Sequence, residues 1–101
     1  MKKIANTEAS AYIANRKPFT SHTGNFSGTL HYGSSVYTGK MPHDTERETM
    51  LLDNELGNIE YIVWSYQTPI AWYNRRTGQW TKTKHKYSVT TSSKHMSNLG
   101  F

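Results

Sequence analysis

The sequence predicts an α+β fold: a small antiparallel sheet of three to four strands over residues 59–90, with two or three short flanking helices. Three observations carry this expectation. From Ile59 onward, apolar and aromatic residues recur with period two, the period of a strand. Residues 6–17 and 45–56 instead carry helix start and stop signals. All three tryptophans, Trp64, Trp72 and Trp80, fall in the second half, so the core mass concentrates there.

Taken in order, residues 6–17 read as a short helix. Asn6 or Thr7 caps it, Ala9, Tyr12 and Ile13 share one face, and Pro18 forbids continuation. From Phe19 to Lys40 the chain is rich in Ser, Thr and Gly, and Gly24, Gly28, Gly33 and Gly39 mark turn points. Short strands are expected there only at Thr29–Tyr32 and Ser35–Thr38. Thr45 and Glu48 have the spacing of a capping box, acidic residues crowd the first turn behind them, and Gly57 stops the helix after Leu56. An acidic loop leading into an extended Thr49–Leu52 is the competing reading.

Ile59–Tyr66 then reads as a strand buried on both sides. Tyr61 and Val63 share one face, and Ile62, Trp64 and Tyr66 the other. Gln67-Thr68-Pro69 interrupts it, Ile70–Tyr73 resumes it, and Asn74 to Gly78 makes a hairpin loop. Gln79–Val89 returns as a strand, and Thr91–Leu99 suggests a brief helix capped by Thr91 or Ser92.

One domain over 1–101 is the expectation at this length. The hydrophobic fraction is only 35%, offset by 13% aromatic residues, so the core should be small and ring-rich. A homodimer would help so small a core, although nothing in the sequence demands one. The absence of cysteine removes disulfides and cysteine-based zinc sites. No apolar run approaches the ~20 residues that span a bilayer, so a cytoplasmic protein without membrane contact is expected.

Charge is the informative quantity. The net charge is +5 and the pI about 9.6. Asp44, Glu46, Glu48, Asp53, Glu55 and Glu60 face only Arg47 between 44 and 60, and no acidic residue follows Glu60. Arg75, Arg76, Lys82, Lys84, Lys86 and Lys94 all lie beyond that point. In a strand, Trp80, Lys82, Lys84 and Lys86 project from one face about 6.6–6.8 Å apart, close to the phosphate repeat of an extended nucleic-acid strand. The binding residues are therefore expected to be Arg75, Arg76, Trp80, Lys82, Lys84, Lys86 and Lys94. The simpler reading of such lysines is solubility and protection of a sheet edge.

Catalytic and cofactor readings are weak. Thr91, Ser92 and His95 invite a nucleophile and base, but the C-terminal region has no carboxylate to orient the imidazole. No two of His22, His31, His43, His85 and His95 have metal-ligand spacing, and no phosphate-binding glycine pattern occurs. No cofactor or metal and no enzymatic activity are expected.

Two blocks, Ser65-Tyr66-Gln67-Thr68-Pro69-Ile70-Ala71-Trp72 and Lys86-Tyr87-Ser88-Val89-Thr90-Thr91-Ser92-Ser93-Lys94-His95, resemble a group of small uncharacterised bacteriophage proteins. The chain departs from that group's pattern at Met96. The resemblance implies phage or prophage origin and no reaction. It points to a non-enzymatic accessory protein that inhibits or modulates a host nucleic-acid-handling or defence complex. Direct, weakly sequence-specific DNA or RNA binding by the same face is the alternative.

Overall fold

In the computed structural model, which describes residues 3–31, 36, 39, 41, 45–83, 95 and 98–100, six strands form one mixed sheet in chain order. β1 (Lys3–Ile4) runs parallel to β2 (Phe19–Ser21). β3 (Phe26–Leu30), β4 (Ile59–Ser65), β5 (Thr68–Asn74) and β6 (Gln79–Lys82) follow, each antiparallel to the strand before it. A 3-10 turn (Asn6–Glu8) and α1 (Ala9–Ala14) supply the crossover that a parallel pair needs, and α2 (Thr45–Glu55) lies between β3 and β4.

The expected antiparallel sheet of three to four strands is thus corrected to a larger, mixed one. The added strands come from segments read as a helix flank and a weakly structured Gly/Ser/Thr stretch. β3 reads Phe-Ser-Gly-Thr-Leu, and Gly28 falls where its alternation would place an apolar side chain. Its five residues pair with Leu30↔Tyr61 through Phe26↔Ser65, and that long-range pairing, rather than local propensity, makes it a strand. It lies N-terminal to the positions expected, and residues 32–35, 37 and 38 lie outside the described residues.

Smaller corrections follow the same logic. The first helix ends at Ala14, because Arg16 turns the chain at φ 51° before Pro18. Neither Asn6 nor Thr7 caps it; Glu8 instead accepts from the Ala5 backbone N–H at 3.4 Å. β4 stops at Ser65, so Tyr66 sits in the turn, 47% exposed, rather than inside a buried strand. Thr68 and Pro69 belong to β5; Pro69 pairs with Trp64 beside a register shift, where a missing N–H is tolerated. The two-residue turn is Tyr66-Gln67, with φ of 50° and 66°. Such turns favour Asn-Gly, and a side chain held left-handed costs roughly 1–3 kcal/mol.

The sheet is buried on both faces. Ile4, Ala9, Ile13, Phe19, Phe26, Tyr61, Val63, Ile70, Ala71 and Leu99 pack together beneath α1. Met41, Met50, Ile59, Ile62 and Trp72 pack beneath α2. Phe19 sits edge-on to Phe26 at 5.3 Å, and Phe26 stacks on His95 at 4.7 Å. Ring burial of this kind is how a chain with few aliphatics assembles a core.

Tyr61 crosses β3 at Gly28 and donates its hydroxyl to the Lys17 carbonyl at 2.6 Å. Burial raises its pKa well above that of a free phenol. The folded state therefore holds a proton that the unfolded chain releases near pH 10. The resulting stability is complete below that pH and falls above it, by up to about 1.4 kcal/mol per pH unit. Urea melts between pH 9 and 11.5 should show this slope, and Tyr61→Phe should flatten it. An equal slope in Tyr61→Phe would show that other groups cause it.

Candidate binding surface

The β5–β6 hairpin presents the first cations of the basic segment. Asn74 Oδ1 accepts from the backbone N–H of Arg76 at 2.9 Å and of Thr77 at 3.1 Å, and Gly78 closes the turn at φ 69°. The Arg75 backbone N–H donates to the Asn58 carbonyl at 2.8 Å, and its guanidinium to the Ile59 carbonyl at 2.7 Å. Arg75 is thereby fixed against the start of β4, while Arg76 is exposed on the loop. The loop has a defined shape, so its charges are displayed at low conformational cost.

Along β6, Trp80 and Lys82 share a face by strand alternation. Lys82 is exposed. Trp80 is half-buried against Tyr73 at 5.2 Å and Tyr61 at 5.9 Å, in edge-to-face geometry. Its role is therefore largely to anchor β6 to the core, and only part of its surface remains for a partner. Lys84, Lys86 and Lys94 lie outside the described residues. The described part of the expected surface is Arg75, Arg76, Trp80 and Lys82.

Part of the acidic segment is tied inward. Asp53 accepts from the Trp72 indole N–H at 3.1 Å, and Glu46 from the Thr83 hydroxyl at 3.0 Å. His31 Nε2 donates to Asn54 Oδ1 at 2.6 Å, and Glu60 pairs with Arg16 at 2.7 Å. The Arg16 guanidinium also sits 4.4 Å over the Tyr73 ring. Glu48, Leu52, Glu55 and Leu56 remain on the outer side of α2 and its C-terminal turn. The sequence allows the acidic segment to lie against the sheet within the monomer but does not name these bonds, because a carboxylate bound to an indole looks like any other helix acid. The Thr45 side chain of the expected capping box lies outside the described residues.

His95 is buried rather than displayed, with Nδ1 2.5 Å from Ser65 Oγ. Its described partner is thus Ser65, while Thr91 and Ser92 lie outside the described residues. Ser65 and His95 are 2% and 1% exposed, so a substrate could not reach the hydroxyl in this conformation. The pair fastens His95 to the end of β4.

A separate groove runs beside the β4–β5 turn. It has a volume of about 310 Å³ and is lined by Gly24, Asn25, Ser27, Thr29, Trp64 and Gln67. The polar residues Asn25, Ser27 and Thr29 alternate with buried or half-buried Phe26, Gly28 and Leu30. That period-two pattern was the available signal for a two-faced strand here.

A model of a family of unknown function, DUF8033, matches residues 1–100. The chain belongs to this family. No curated protein and no solved structure matches it. Membership in DUF8033 thus covers the whole described sheet and both helices without assigning them a task. No described helix is long and apolar enough to cross a membrane.

Proposed function

We propose that this DUF8033 protein is a non-enzymatic, phage-type accessory protein. It acts by binding a host nucleic-acid-handling or defence complex through the basic β5–β6 face. One observation carries the reading. Glu60 is charge-paired with Arg16, while Glu46 and Asp53 keep their charge but are held in place by the neutral donors Thr83 and Trp72. Arg76 and Lys82 are exposed to solvent, on and beside a hydrogen-bonded hairpin. Such a surface attracts phosphates or acidic protein patches. The phage origin and the host target rest on the resemblance of the two sequence blocks.

The test is a charge reversal. Arg76→Glu with Lys82→Glu should abolish retention of the bacterial partner in pull-downs, with thermal stability unchanged, since such surface changes each cost within about 0.5 kcal/mol. Nuclease treatment separates the leading reading from direct DNA or RNA binding. If nucleic acid is the ligand, the double variant should also reduce the log–log salt slope by about 1.4–1.8. Full retention by a folded double variant would remove this face from the proposal.

A further inference from the structure

The geometry points to a second binding site, the groove between the β4–β5 turn and β3, whose ligand is an uncharged saccharide. The site lies outside the basic residues of the β5–β6 face and stands or falls separately from them. Its volume of about 310 Å³ is at the low end of small-molecule sites, which suits one or two sugar rings.

The lining chemistry selects the ligand. Among the described residues, no ionisable side chain lines the groove, and such a lining offers an anion or a cation no counter-charge for the water it loses. Its polar groups are hydroxyls and amides from Asn25, Ser27, Thr29 and Gln67, and each residue can both donate and accept. Sugar hydroxyls have the same dual character, whereas phosphates only accept and guanidinium groups only donate. No hydrogen bond to the Asn25, Ser27 or Gln67 side chain occurs among the described residues, so their capacity is available to a ligand. The Trp64 indole N–H is already given to Thr29 Oγ1 at 2.9 Å. What Trp64 adds to the groove is therefore apolar ring surface, the complement of a sugar's C–H face.

The turn supplies an independent argument. Tyr66 and Gln67 both hold positive φ without being glycine, and the Tyr66 N–H is fixed to the Asn25 carbonyl at 2.9 Å. A sequence selected only for folding would favour Asn-Gly here, and departures of this kind concentrate at binding sites. The strained turn holds the Gln67 amide at the groove beside Trp64.

The experiment follows the Trp64 indole N–H by NMR, assigned with Trp64→Phe, in the full chain. The probes are glucose, galactose, N-acetylglucosamine, maltose and cellobiose, each titrated to about 50 mM, with thymidine oligonucleotides as the competing class. A saturable shift with at least one sugar, at a Kd on the order of millimolar, is expected. Gln67→Gly and Ser27→Ala should each weaken it about tenfold, and Gln67→Gly should melt at or above the wild-type temperature because strain is relieved. Absence of a saturable sugar shift would overturn the proposal. So would a shift that survives both substitutions, or one produced by the oligonucleotide and not by sugars.

Discussion

Trp72→Ala should remove about 3–5 kcal/mol of stability and leave much of the protein unfolded at room temperature. Trp72 is fully buried, pairs with Ile62 across β4, and packs with Met50 of α2. Its indole N–H also donates to Asp53, so truncation both opens a cavity and releases α2 from the sheet. Trp72→Phe separates the two effects. It keeps most of the ring and deletes the bond, which should cost about 1–3 kcal/mol because Asp53 loses its donor. Chemical denaturation of both variants gives the comparison. A Trp72→Ala protein with wild-type melting would show that α2 is not held over this residue.

Gly28→Ala is the second large effect, at about 2–5 kcal/mol. A Cβ at Gly28 would overlap the Tyr61 hydroxyl and approach a Phe19 ring carbon to 2.6 Å. Overpacking of this kind costs about 1–3 kcal/mol, and displacing Tyr61 forfeits its bond to the Lys17 carbonyl, a similar amount. Tyr61→Leu is damaging alone, yet combining it with Gly28→Ala should cost less than the sum, since the overlap with the Tyr61 hydroxyl is gone and only the Phe19 contact remains. Strict additivity of the two losses would show that Tyr61 does not cross β3 at this glycine.

These two residues mark what could and could not be read in advance. The weight of Trp72 was visible in the run of aromatics after Ile59. Its partner Asp53 was not, because a helix carboxylate carries no local sign of bonding an indole. Gly28 looked like a turn residue in a Gly-rich stretch. Only the arrival of Tyr61 from a strand 33 positions further on makes it part of a sheet.

The candidate sites divide the same way. The cations Arg75, Arg76 and Lys82 were legible as a charge run, and the hairpin that carries two of them was legible from Asn74 and Gly78. That Trp80 leans on Tyr61 and Tyr73, and not wholly into solvent, depends on which strand pairs with β5. The groove joins Asn25, Ser27 and Thr29 to Trp64 and Gln67, across a gap in the sequence that only strand pairing closes.

By itself the sequence favoured the second helix over an acidic loop and determined the two-faced β4 strand, the β5–β6 hairpin and the separation of charge, because each follows from periodicity or turn chemistry within a few residues. The tertiary structure alone decided that the sheet has six strands, that β1 joins it in parallel, and where its acids and rings point. The physical reason is that a strand of two to five polar or glycine-interrupted residues has no stable local conformation. It exists only through hydrogen bonds and side-chain contacts with a neighbour that is distant along the chain.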